Sequence, residues 1–152
     1  KGKPSAAFID AVLADPFFQQ TGPRSLDWGH FTGWLQHPSF SGLSVEDKLA
    51  SLTMLSVHSI AVGLNRLSFA LKTLVIAGGG VQNKTLMREI KTGLPGEIQI
   101  RTAEQIGAAS DMIEAELIAF LAARHQSGLP STWPETTGCS VPQIAGVRAE
   151  PG

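Results

Sequence analysis

The residues best suited to meeting a ligand lie in 72–87, KTLVIAGGGVQNKTLM. Gly78, Gly79 and Gly80 follow the apolar run 73–77 and precede a helix-forming segment that opens near Asn83 or Thr85. Glycine has no Cβ and takes positive φ readily. Backbone here can therefore approach a ligand closely and turn its N–H groups toward a phosphate or a purine. The helix behind adds unpaired N–H groups and the positive end of its dipole. The functional reading is a nucleotide site at the C-terminal end of a strand. A tight turn with no ligand is equally compatible with three glycines. Two known nucleotide motifs are excluded. Asn83 stands where G-x-G-x-x-G needs its last glycine, and no G-K-[ST] closes a Walker loop.

Three other residues are candidates for positioning a ligand. Asp111 and Glu114 sit three apart in the first turns of the last long helix, where the helix dipole already favours carboxylates. They could also contact a ligand hydroxyl or a metal-bound water. Arg24, within Gly22-Pro23-Arg24-Ser25, could hold an anionic group, although a surface arginine is the ordinary outcome. His30, His37, His58 and His125 are scattered, so no metal motif can be built. The single cysteine, Cys139, forms no internal disulfide and reads as a small residue in a late turn. No residue stands out as a catalytic base.

The elements that must position these groups follow from periodicity. Residues 4–15 read as an amphipathic helix with Phe8, Ile9, Val12 and Leu13 on one stripe, stopped at Asp15-Pro16. Trp28, Phe31, Trp34 and Leu35 suggest a short helix that buries large rings, with stacking on a sugar or base as the alternative. Ser44 looks like an N-cap with Asp47 as capping-box partner. From Val45 an apolar stripe continues for about seven helical turns and feeds directly into the strand at 73–77. The helix after the glycines runs to about Thr92, with Gly93 as its C′ residue. Ile98, Ile100 and Thr102 mark a second strand, giving a βαβ unit with parallel strands. A last helix spans 107–126, with Met112, Ile113, Leu117, Phe120 and Leu121 as its core side. The fold class is α/β, with an αβαβα core at 44–128. A helix and aromatic loops precede it at 1–43, and an irregular tail anchored by Trp133 follows at 129–152.

The bulk composition narrows the function classes. The chain has 152 residues, enough for one domain with a real core. Charged residues are only 16%, below the usual quarter, so part of the surface is expected to be covered. Net charge is −1, which offers no basic excess for nucleic acid and no charge run for a membrane surface. No apolar run is long enough to span a bilayer, and no signal peptide is recognisable. The absence of an initiator methionine suggests a processed product or a fragment. Two parallel strands cannot cover a domain of this size, so the sheet is expected to be incomplete.

Four stretches, in the same order, carry a family resemblance. Gly78-Gly79-Gly80-x-x-Asn83-x-x-Leu86-Met87 resembles the GGG-x-x-N-x-x-L-M segment of bacterial anhydro-N-acetylmuramic acid kinases. The loop 22–27 is similar to the family's P-K-S-[LT]-[DG] loop. Residues 107–122 resemble its G-x-P-A-D-x-x-E-A-x-x-F-A-x-L-A helix. Gly128-Leu129-Pro130 with Trp133-Pro134 and Thr136-Thr137-Gly138 resembles its G-L-P-x-x-x-P-x-x-T-G tail. Arg24 replaces the family's lysine, Ala109 a proline and Ile118 a phenylalanine.

The resemblance implies the superfamily of sugar kinases, actin and the heat-shock ATPases. This chain would be the C-terminal lobe of a ribonuclease-H-like, two-lobed fold. It implies a cytoplasmic bacterial kinase that uses ATP and magnesium. The enzyme would cleave an anhydro amino sugar and phosphorylate it at the 6-position in peptidoglycan recycling. Gly78, Gly79, Gly80 and Asn83 would then lie against the adenosine end of ATP. The phosphate loops and the water-activating aspartate lie earlier in the family's chains, so this chain alone is expected to be inactive, with no catalytic residue of its own. Its partner would be the N-terminal lobe; separately, if the chain is stable by itself, its open sheet edge or apolar face is expected to be covered by a second copy in a homodimer. A non-catalytic nucleotide-binding or interaction module of the same fold, and a superfamily kinase with another acceptor, remain the alternatives.

Overall fold

The computed structural model describes residues 2–149, apart from the side chain of Asp111. Its helices are α1 (Ala6–Leu13), α2 (Pro16–Gln19), α3 (Trp28–Leu35), α4 (Pro38–Ser41), α5 (Val45–Leu64), α6 (Lys84–Gly93), α7 (Ile113–Gln126) and α8 (Pro134–Thr137). The strands are β1 (Thr73–Ile76) and β2 (Gln99–Thr102). Short 3-10 turns occupy Gly79–Gln82, Ala103–Ile106 and Ser110–Met112. The chain divides into two compact units. One is Lys1–Gln19 with Leu26–Ser110, and the other is Gln20–Ser25 with Asp111–Gly152.

In the first unit, α1 forms where expected because Ser5 caps it, its hydroxyl accepting from the Phe8 N–H. The stripe Phe8, Ile9 and Val12 is buried against Phe18, Phe40 and Leu55. The Phe8 and Phe40 rings lie 4.5 Å apart. Each large apolar side chain buried here stabilises by roughly 1.5–3 kcal/mol. The N-terminal segment is tied to α5 through the fully buried Ser51. Its hydroxyl accepts from the Ser5 N–H at 2.8 Å and donates to the Asp47 carbonyl at 2.6 Å. Ser44 caps α5 as expected, accepting from the Asp47 N–H at 3.1 Å. The reciprocal half of the capping box is replaced. The Asp47 carboxylate instead accepts from the Lys3 N–H at 2.6 Å, and that bond is the main cause of its lowered pKa.

Four expectations are corrected. Pro16 opens the short helix α2 rather than a loop, because Asp15 accepts from the Phe17 N–H at 2.8 Å and supplies the cap. Trp28 is 75% exposed rather than buried, being the first residue of α3. α5 ends at Leu64, shorter than the apolar period suggests, and Asn65 caps it. Phe69, beyond that end, is 62% exposed. The connection to β1 is therefore irregular rather than direct. The last helix begins at Ile113, not 107, because Gly107 takes φ +84° and ends the turn before it. Ser110 lies in the 3-10 turn that precedes this helix.

β1 and β2 pair in parallel, Leu74 opposite Ile100 and Val75 opposite Arg101. Leu74, Ile76 and Ile100 face a second core made by Val57 of α5 with Met87, Ile90 and Leu94 around α6. Val75, pointing the other way, is 40% exposed, so this parallel sheet is covered on one face only.

The second unit has little buried interior. α7 contains no buried residue, and of the expected core side Met112, Leu117 and Phe120 are each more than half exposed, as is Ile118 beside them. The tail is tied to α7 by polar contacts. Arg124 Nε donates to the Pro130 carbonyl at 2.6 Å, and its guanidinium lies 5.4 Å from both the Phe120 and Trp133 rings. His125 Nδ1 meets the Ala145 carbonyl at 3.1 Å. Trp133, expected to anchor the tail, is 38% exposed and meets Arg124 through its ring, and the expected frayed end falls on 150–152, outside the described residues.

Gly93 plays a different part from the one its position suggests. It is the last residue of α6 and does not take positive φ. A Cβ there would lie 2.7 Å from Val57 Cγ1, so the residue is small because α5 and α6 touch at this point. Val57 is β-branched and nearly fully buried, and it has little room to turn. Gly93→Ala is expected to lower stability by about 1–3 kcal/mol in urea unfolding, despite alanine's better helix propensity. Val57→Ala in that background should recover part of the loss, whereas Val57→Ala alone should destabilise.

Candidate functional site

The glycine stretch adopts the geometry that its composition allows. β1 ends at Ile76, and Gly78 then takes φ +80° and ψ −180°. Only glycine occupies that region without strain. The turn Gly79–Gln82 follows, and Asn83 accepts from the Thr85 and Leu86 N–H groups at 3.1 and 3.0 Å to cap α6. A Cβ built on Gly78 or Gly79 would meet no atom within 4 Å. At Gly80 it would meet only Leu86 Cδ2, at 3.7 Å. The glycines are thus not needed to let another part of this chain approach. Gly78 is required by its backbone angle, while Gly79 and Gly80 leave their surface open.

Beside Asn83 the first unit has a cavity of about 560 Å³. Leu49, Ala50 and Met54 of α5 form one wall, and Thr85, Arg88 and Glu89 of α6 form another. Arg88 and Glu89 flank Thr85 at i+3 and i+4, one turn on. Gly2 and Pro4 contribute to the rim. A Cβ on Gly2 would overlap the Glu46 carbonyl, so the N-terminal segment lies directly on the first turn of α5. Asn83's capping bonds occupy its side-chain oxygen, which leaves the amide nitrogen as the group it can offer a ligand.

The remaining candidates belong to the second unit. Arg24 is half-buried in the segment Gln20–Ser25, which turns at Gly22 with φ +80°. Glu114 is exposed in the first turn of α7, where the helix dipole favours a carboxylate. Asp111 lies in the Ser110–Met112 turn, and its side chain falls outside the described residues. Gly78, Gly79, Gly80 and Asn83 therefore lie together in one turn of the first unit, and Arg24, Asp111 and Glu114 belong to the second. Among the described residues no three histidine, cysteine or acidic side chains converge on a metal position. No helix of the described residues is long and apolar enough to cross a membrane.

Two polar clusters were not visible as such in the sequence. Arg88 donates from both Nε and Nη2 to Glu89 Oε1, at 3.1 and 2.6 Å. Adjacent residues on a helix point in different directions, so spacing gave no signal for this pair. The second cluster centres on Asp15, whose Oδ2 accepts from His30 Nε2 and from the Trp34 indole, both at 2.9 Å. Partial burial works to raise the Asp15 pKa, but the Phe17 N–H, Trp34 and His30 outweigh it and hold the carboxyl below its ordinary value. These contacts fix α3 on the turn after α1.

The two roles in the glycine turn separate by mutation. Gly78→Ala is expected to cost about 1–3 kcal/mol through backbone strain alone. Asn83→Ala should cost about 0.5–2 kcal/mol through the lost cap, while Asn83→Asp keeps the cap and should stay within a few tenths of the parent. Urea unfolding of the three variants checks this.

The family model for anhydro-N-acetylmuramic acid kinase matches residues 1–150. A curated relative of that name from Methylobacterium nodulans is 37% identical over 150 residues, covering 99% of this chain and 38% of the relative. Anhydro-N-acetylmuramic acid kinase 1 of Jannaschia sp. is 36% identical over 152 residues, covering 100% of this chain and 40% of the relative. The anhydro-N-acetylmuramic acid kinase of Azorhizobium caulinodans is 38% identical over 154 residues, with 99% and 40% covered. The chain thus spans about two fifths of the length of the curated relatives it matches.

Proposed function

The chain belongs to the anhydro-N-acetylmuramic acid kinase family, and from that premise we propose that it forms the C-terminal lobe of such a kinase. The full enzyme would use ATP to open the anhydro ring of its amino sugar and leave N-acetylmuramic acid 6-phosphate, in peptidoglycan recycling in the bacterial cytoplasm. The fold would be the ribonuclease-H-like lobe of the sugar kinase, actin and heat-shock ATPase superfamily. The two-stranded parallel sheet, covered on one face, agrees with a sheet completed by another lobe. The exposed Leu117, Ile118 and Phe120 supply an apolar face that a second copy would cover in a homodimer.

One observation carries the nucleotide reading: the unobstructed glycine turn leads into Asn83, and Asn83 lines a cavity. Gly78, Gly79 and Gly80 would let the adenosine end of ATP approach the backbone, and Asn83 would offer its amide nitrogen. ATP supplies the phosphoryl group. This lobe would bind and orient the nucleotide. Arg24, Asp111 and Glu114 would position ligand groups without reacting. Magnesium would be carried on the phosphates of ATP and completed by water.

Calorimetric titration of this chain with Mg-ATP and with adenosine tests the reading. Binding of both with similar weak affinity is expected, because the adenosine end is the part held here. Absence of heat with both would remove the nucleotide site from this chain and return the glycines to a structural turn.

A further inference from the structure

The cavity beside Asn83 has a wall chemistry that distinguishes which part of a nucleotide it can accept. Its ionisable lining, among the described residues, is Glu46 and Glu89 against Arg88, two carboxylates and one guanidinium. An excess of negative charge disfavours a polyphosphate and does not disfavour a neutral heterocycle. The α5 wall, with Leu49, Ala50 and Met54, is apolar, and Leu49 is 62% exposed, leaving surface for a flat ring to cover.

Arg88 is the group that sets the orientation. Its Nε and Nη2 both donate to Glu89 Oε1, so one edge of the guanidinium is engaged and its charge is balanced. At a half-exposed site that ion pair adds little stability. Its effect is geometric, since it restricts the plane of a long side chain that is 54% exposed. A planar guanidinium stacks on aromatic rings, which a lysine ammonium cannot do in the same way.

We propose that Arg88, its plane held by Glu89, stacks on the purine base of ATP, with the α5 side chains Leu49 and Met54 forming the other side of the base slot. The proposal rests on the reading that the glycine turn and this cavity hold the adenosine end of ATP. It assigns Arg88 to the base and not to the phosphates, the usual destination of an arginine in a nucleotide site.

Titration of the chain with adenosine and, separately, with inorganic tripolyphosphate tests it. Arg88→Ala is expected to weaken adenosine about tenfold, and Arg88→Lys nearly as much, since lysine keeps the charge and loses the plane. Neither substitution should weaken tripolyphosphate. Glu89→Gln, which keeps an acceptor oxygen, should have a smaller effect than Arg88→Ala. If the parent binds adenosine and Arg88→Ala leaves that affinity unchanged, stacking is overturned while the nucleotide reading stands. Rescue by Arg88→Lys, or loss of tripolyphosphate in Arg88→Ala, would make Arg88 a charge contact and also overturn the assignment. No adenosine binding by the parent would bring down both readings.

Discussion

The close approach of α6 to α5 at Gly93 and Val57 is the constraint on which the rest of the first unit depends. With no side chain at Gly93, the end of α6 lies directly on the buried flank of α5. That contact joins the core of Val57, Met87, Ile90 and Leu94, which in turn holds Leu74, Ile76 and Ile100 of the two strands. The start of α6 is set by a separate device, the Asn83 cap. Between a strand fixed by its core and a helix fixed at both ends, 77–82 has little freedom except the backbone angles glycine permits. Stability and site geometry are therefore coupled through a packing contact at the far end of the helix from the glycines.

The strand, turn and helix of the candidate site were legible because local chemistry and the tertiary arrangement agree there. An apolar run, three glycines, an asparagine cap and an amphipathic helix each specify the same strand, turn and helix. Ser44 as a cap and the parallel pairing of the strands were legible for the same reason. Gly93 was misread because a glycine before a proline-containing turn suits a C′ position, and only a tertiary neighbour reveals that space is the cause. The end of α5 was misread because Leu67 continues the apolar period, while periodicity carries no information about whether those residues find a core. The start of α7 was misread because Ala108 and Ala109 are strong helix formers that nevertheless follow a left-handed glycine. The cavity and the Arg88–Glu89 pair were out of reach, since they arise from two helices brought together and from side-chain directions on one of them.

The second unit differs in what holds it. It relies on hydrogen bonds and on the Arg124 guanidinium between two rings more than on buried apolar surface. Its main helix leaves large apolar side chains in contact with water, at a cost that soluble proteins usually avoid. The low charged fraction of the chain points the same way, because residues that contact another surface need not be polar. The proposed lobe of a larger kinase would account for both features, and also for a parallel sheet that is covered on one face.

The central claim is that 78–85 in this chain is a nucleotide-contacting turn and not only a connection. Amide hydrogen exchange of the chain, with and without saturating Mg-ATP, tests it most directly because it reports position along the backbone. Slower exchange in peptides covering 78–85 and the facing part of α5, with little change in α7, is the expected result. Protection confined to other segments, or none at a concentration where calorimetry shows binding, would contradict it.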